Sequence, residues 1–312
     1  MIEVSLGFGD GNGLVGTLCL PVTAGGAGHG ATAGIILFNA GIVHRIGPHR
    51  LNVRLARALA GRGIASIRFD LAGLGDSRRT DGSVGFEAQA VADLRAAMTA
   101  LGQATGLQRF GLFGFCSGGF HSYNAAQRDE RVAGILLFEA YRYATLKTKL
   151  IRLSMRLRQH GVAPTIARLS AALLRRMAGR RPAADSAEPL ARALGVGYTA
   201  DSPAKAAFAQ GLRVLLERQV DVGLIYAGDG FEFYNYEAQF RDAFKRFGIT
   251  ERVKTTFLPD IDHVVTGSAA QRALIEHVLP WSAMVAGLAP APRTAVASAP
   301  ATAKSAAADP AA

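Results

Sequence analysis

Short, almost wholly apolar runs recur along this chain, and most lead into a stretch with helical spacing. "AGIILFNAG", "IASIRFD", "RFGLFGFC", "VAGILLFEA" and "DVGLIYAGD" are such runs. A strand that is apolar on both faces must be covered on both faces, and a parallel sheet flanked by helices does this. Residues 48 to 61, "FEAQAVADLRAAMTAL", 117 to 128, 236 to 247 and 268 to 287 read as the helices, with Pro48 opening the first and Gly61 closing it. "RVKTTFLP" reads as a last strand, and "EVSLGFGDGNGLVGTLCLPV" alternates around "GDGNG", a hairpin signal. The chain is therefore expected to be an α/β protein.

The alternation stops between residues 145 and 219. The expected organisation is a core formed by 1–144 and 220–288, a helical basic cap insertion at 145–219, and a disordered Ala/Pro-rich tail at 289–312. Formal net charge is +11, and residues 145 to 181 hold ten Lys or Arg and no Asp or Glu. Leu150, Leu153 and Leu157, then Ile166, Leu169 and Leu173, recur at helical spacing, as in helices laid over a site. The basic run lacks interleaved aromatics, which argues against nucleic acid. It suits an acidic partner such as an acyl-carrier protein, or a membrane surface.

Two cysteines, Cys19 and Cys116, are too few for a disulfide framework. The chain opens without a basic start and apolar run, and a transmembrane segment is not expected. A cytoplasmic location with a free thiol is the expectation.

One turn concentrates the chemistry. "GFCSGG", residues 114 to 119, follows a strand and opens a helix, the setting of a nucleophile elbow. Residues two before and two after the nucleophile must be small. Framed on Cys116 these are Gly114 and Gly118; framed on Ser117 they are Phe115 and Gly119. Phenylalanine cannot fit the turn, so Cys116 is the expected nucleophile. The Ser117 N–H then faces an oxyanion. Among seven histidines, His263 in "PDIDHVVTGS" lies between the last strand and last helix, where a loop can lower an imidazole onto the elbow. For the acid, "LIYAGDGFEFYN" offers Asp229 first and Glu232 second, with Glu139 at the end of "GILLFEA" third. "FNAGIVH" supplies the second oxyanion donor, the Ile42 N–H, with Gly41 allowing close approach. No metal or organic cofactor is expected, and the glycines match no phosphate-binding pattern.

Over residues 1 to 287 the sequence resembles the α/β-hydrolase superfamily. "FNAGIVHRIGPHRLNVRLARALAGRGIASIRFDLAGLGDS" and "GFCSGG" are most similar to serine-aminopeptidase-like hydrolases, including those called exosortase-A-associated, here with Cys at the elbow. The resemblance implies an α/β-hydrolase fold: a mostly parallel sheet of about eight strands, its first pair antiparallel, with helices on both faces. It also implies a triad of Cys116, Asp229 or Glu232, and His263. A free Cys titrates near 8.5, so a thiolate forms readily. Thiolates favour esters and thioesters over amides. The expected activity is acyl hydrolysis, thioesterase- or esterase-like, on a small-molecule acyl ester or thioester. An acyltransferase on the same acyl-enzyme and a non-catalytic binding module are the alternatives.

Overall fold

A computed structural model describes residues 1–22, 30–164, 170, 203–229 and 233–289. The central element is an eight-stranded sheet of order β1-β2-β4-β3-β5-β6-β7-β8. Its strands are β1 (Ile2–Phe8), β2 (Leu14–Leu20), β3 (Ala33–Phe38), β4 (Ser66–Phe69), β5 (Arg109–Phe115), β6 (Val132–Phe138), β7 (Asp221–Ala227) and β8 (Lys254–Leu258). β1 and β2 form the expected antiparallel hairpin, and β2 meets β4 antiparallel. From β4 onward all pairings are parallel.

Side chains of successive strand residues point to opposite faces, so each strand feeds two cores. Ile36 and Phe38 enter one, with Leu94 and Met98 of α2 (Phe86–Thr105), Ala125 of α3 (Ser117–Arg128), and Phe208 and Leu212 of a helix at Lys205–Glu217. Ile35 and Leu37 enter the other, with Leu55 and Leu59 of α1 (Leu51–Ala60) and Leu274 and Trp281 of a helix at Ser268–Val285. Every residue of β3 and β6 is buried, which explains why those runs are apolar throughout.

The stretch from β6 to β7 contributes α4 (Leu146–His160) and α5 (Lys205–Glu217); α6 (Gln239–Phe244) and α7 (Ser268–Val285) follow. Ile166, Leu169, Leu173, Glu232 and the residues after 289 lie outside the described residues. Pro48 opens a 3-10 turn at Pro48–Arg50, and the α-helix begins at Leu51. His49 and Arg50 have positive φ, so the turn reverses before the helix starts. Among the described residues, no helix is long and apolar enough to cross a membrane.

Candidate active site

Parallel strands bring their C-terminal ends to one edge, and the candidate residues gather there. β5 ends at Phe115, and Cys116 turns directly into α3 with φ 53° and ψ −117°. A side chain at positive φ outside glycine is uncommon and marks a constrained turn. Two bonds hold it: the Cys116 N–H donates to Phe138 O at 2.8 Å, and the Gly119 N–H to Cys116 O at 3.0 Å. A Cβ built on Gly114 would lie 2.5 Å from Gly118 O and 2.6 Å from Gly119 Cα. Those are backbone atoms of the same turn and cannot move aside. This is the crowding expected of an elbow framed on Cys116.

His263 sits in the loop between β8 and α7. Its ring packs edge-on to Phe115, with centroids 6.0 Å apart. Its Nδ1 lies 3.4 Å from Glu139 Oε2. The imidazole is pushed up to about 10, first by its hydrogen bond with Cys116 and next by that with Glu139, against burial, which lowers it. Val265, two residues on, has φ 53°, an outlier for a β-branched residue in the same loop.

The order of preference for the acid changes with the geometry. Asp229 does not meet the imidazole ring; its Oδ2 accepts the backbone N–H of His263 at 2.7 Å. Among the described residues, this short side chain, one residue past Gly228, bonds the loop backbone and not the ring. Glu139 reaches the ring instead. It follows β6, has φ 59°, and its side chain is fully buried. Its Oε1 accepts the Ala227 N–H at 2.7 Å. Arg142 Nη1 donates to Oε2 at 3.0 Å, the same oxygen that faces His263. The Arg142 guanidinium also lies over the Phe233 ring, 4.9 Å from its centroid. Sequence position alone did not single out Arg142.

On the opposite side of the elbow, Gly41 has φ 57° and its N–H donates to Ser117 Oγ at 2.8 Å. The Ser117 side chain therefore ties the "NAGI" loop to the helix start, bringing Ile42 to the same edge as Cys116. Asn39 extends the brace. Its Nδ2 donates to Val43 O at 2.7 Å and Asp70 Oδ1 at 2.9 Å, and its Oδ1 accepts the Leu71 N–H at 2.6 Å. Asp70 braces these loops, its carboxylate also accepting the N–H groups of Arg45 and Asp76.

His44, Asp70 and Asp76 form a group with metal-ligand chemistry among the described residues. Arg45 already supplies the positive charge there. Its Nη1 bonds both Asp70 and Asp76 and lies 2.8 Å from His44 Nε2. This arrangement is an ionic clamp and does not fit a metal.

Known proteins share this architecture. XC6422 of Xanthomonas campestris, described as an α/β serine hydrolase without a lid, superposes with a TM-score of 0.51 at 17% identity, over 93% of this chain and 96% of that one. The chain has the α/β-hydrolase fold. The hypothetical protein PA2218 of Pseudomonas aeruginosa gives a TM-score of 0.51 at 16% identity, over 91% of this chain and 92% of that one. The sequence profile of the family described as serine aminopeptidase, S33, matches residues 35–189, just under half of the chain. That stretch holds most of β3, the elbow and Glu139 of this α/β-hydrolase fold, but not His263. No protein of curated function matches the sequence.

Proposed function

We propose that this protein is an acyl hydrolase, esterase- or thioesterase-like, with Cys116 as nucleophile, His263 as general acid and base, and Glu139 as the orienting carboxylate. The observation that carries the reading is an imidazole packed on Phe115, the residue before the strained elbow Cys116, with its Nδ1 3.4 Å from the fully buried Glu139 carboxylate. That arrangement supports a nucleophile, a base and an orienting acid drawn from three separate loops.

With His263 raised to about 10, the thiol proton rests on the imidazole before the reaction starts, and Sγ adds to the substrate carbonyl as the thiolate of that pair. The carbonyl π electrons move to oxygen, which backbone N–H groups of Ile42 and Ser117 stabilise. As the tetrahedral adduct collapses, the bond to the leaving group breaks and His263 delivers it the proton. A thioester to Cys116 remains. Water then gives a proton to neutral His263 and adds to that thioester; collapse releases the acid and restores the thiolate beside the imidazolium. Glu139 holds Nδ1 and balances the imidazolium charge. Asp229 and Ser117 Oγ act on the backbone of the loops that carry the chemistry.

The basic α4 keeps an acyl-carrier protein among the candidate carriers of the acyl group. Intact-mass spectrometry after exposure to acyl thioesters and p-nitrophenyl esters tests the reading. An adduct of one acyl mass is expected on the wild type and not on Cys116→Ala. An adduct that persists in Cys116→Ala refutes the assignment. Partitioning of the acyl group to an added alcohol or amine in preference to water would make the protein a transferase.

A further inference from the structure

Helix α4 presents apolar residues on the wrong side for a helix that only covers a core. Thr148 is its one buried residue, and the Thr145–Thr148 capping box and an Asn235 Nδ2 bond to Thr148 O at 3.1 Å anchor that side to the protein. At about 100° per residue, Leu146, Leu150, Leu153 and Leu157 fall within an arc roughly opposite Thr148. Leu146 and Leu150 are 78% and 67% exposed. Lys147 and Arg158 border this leucine stripe on one flank and Lys149 on the other, and the helix carries no acidic residue.

The stripe has company. Fifteen large apolar residues are exposed on the described surface, and nine belong to connections leaving the C-terminal ends of the parallel strands. Ile42 follows β3, Val84 follows β4, Leu146 and Leu150 follow β6, Phe233 follows β7 and Val264 follows β8. β5, the remaining parallel strand, carries Cys116. Exposed apolar residues therefore concentrate on the edge that holds the candidate active site. Scattered exposed leucines need no explanation, but apolar surface gathered at one edge and rimmed by charge marks an interaction face.

We infer that this edge docks on a lipid bilayer bearing anionic headgroups, with α4 lying in the interface. The leucine stripe enters the headgroup–acyl boundary while Lys149 and Arg158 extend their charged groups to phosphates; the Lys147 ammonium, 4.5 Å from the Tyr236 ring centroid, adds its positive charge from the protein side of the helix. Charge selects the occupant: the chain has an excess of eleven positive charges, and α4 itself carries five Lys or Arg and no acidic residue, complementary to an anionic leaflet. Two largely exposed leucines in successive turns favour a bilayer over an acidic carrier protein, which needs chiefly the cations. The inference does not depend on which bond Cys116 cleaves.

Co-sedimentation of the full chain with vesicles tests it. Binding is expected to vesicles containing about 30% phosphatidylglycerol and to be far weaker to phosphatidylcholine alone, and to fall as salt rises from about 0.05 to 0.5 M. Leu146→Gln with Leu150→Gln should weaken binding by about tenfold or more. Lys147→Gln with Lys149→Gln should weaken binding to the anionic vesicles only. The leucine pair is exposed, so its double variant should keep the wild-type melting temperature and hydrolyse a soluble p-nitrophenyl ester at the wild-type rate. Those controls separate failure of docking from failure of the proposed chemistry. Absence of wild-type binding to anionic vesicles at low salt overturns the inference, as does undiminished binding of the leucine variant. Capture of an acidic acyl-carrier protein without vesicle binding overturns it too and gives the face to that partner.

Discussion

Replacing Glu139 by Gln keeps the shape of a buried side chain and removes its charge. At the 3.4 Å between Glu139 Oε2 and His263 Nδ1, an effective dielectric constant near 20 gives a carboxylate–imidazolium attraction of about 5 kcal/mol. The imidazole is 34% exposed and Arg142 shares the same oxygen, so screening and competition leave ~2 to 3 kcal/mol. At about 1.4 kcal/mol per decade, Glu139→Gln should lower kcat/KM by roughly 100-fold. The pH profile supplies a second reading. His263 is raised to about 10, so its imidazolium is held through neutral pH and lost as pH rises through that value. Without the Glu139 anion the alkaline limb of kcat/KM should move down in pH, towards that of an ordinary imidazole at about 6.5. A fold defect alone would lower the rate without moving the limb. Asp229→Asn should cost less than about tenfold, because it weakens one bond to a backbone N–H. Stopped-flow hydrolysis of a p-nitrophenyl ester from pH 5 to 10.5 (about the range both limbs need) decides the matter. A larger loss in Asp229→Asn than in Glu139→Gln, or an unmoved limb in Glu139→Gln, refutes the assignment of the acid.

Arg142→Met should shift that same limb in the opposite direction, since Glu139 Oε2 would no longer be shared with a guanidinium; a limb that moves down would show that Arg142 does not act through Glu139. Ser117→Ala should lower kcat about three- to tenfold with little change in KM, because it frees the Gly41 N–H that tethers the loop proposed to bind the oxyanion; wild-type kcat would show that this tether plays no part in the reaction. Gly114→Ala should lower stability by about 3 kcal/mol or more, measured by urea unfolding, because its Cβ would meet backbone atoms of the turn; an unchanged midpoint would contradict the tightness of the elbow. The His263 contribution to stability is full below about pH 6.5 and is lost as pH rises through about 10, so the melting-temperature gap between wild type and His263→Gln should narrow over that window.

Much of the fold was readable because both faces of the sheet are covered. "AGIILF" and "VAGILLF" are apolar at every position for that reason, and their helices keep a regular period. The elbow was readable because sterics restrict the residues around the turn, as Gly114 demonstrates. The position of His263 on the loop between the last strand and last helix was readable. Which carboxylate faces its ring was not. Asp229 and Glu139 both end a strand at the same edge, and only side-chain length and backbone direction decide which meets the ring. The outward leucine stripe was hidden for a related reason. Leu150, Leu153 and Leu157 share one face by spacing, but periodicity does not say which face turns inward. A buried threonine, not a leucine, marks the inner side of α4.

β5 and β6 are neighbours in register, with Phe115 opposite Phe138, and the candidate nucleophile and carboxylate are the next residue on each. Two members of the proposed triad thus ride on adjacent rungs of one ladder, and their spacing is inherited from the sheet. In that proposal the connection leaving β7 does not supply the acid. It braces the site instead: Asp229 holds the His263 backbone, Tyr234 stacks on Tyr226 with centroids 3.7 Å apart, and Asn235 bonds Thr148 O of α4. A change there is therefore felt by the His263 loop and by α4, while the spacing of Cys116 and Glu139 stays with the sheet.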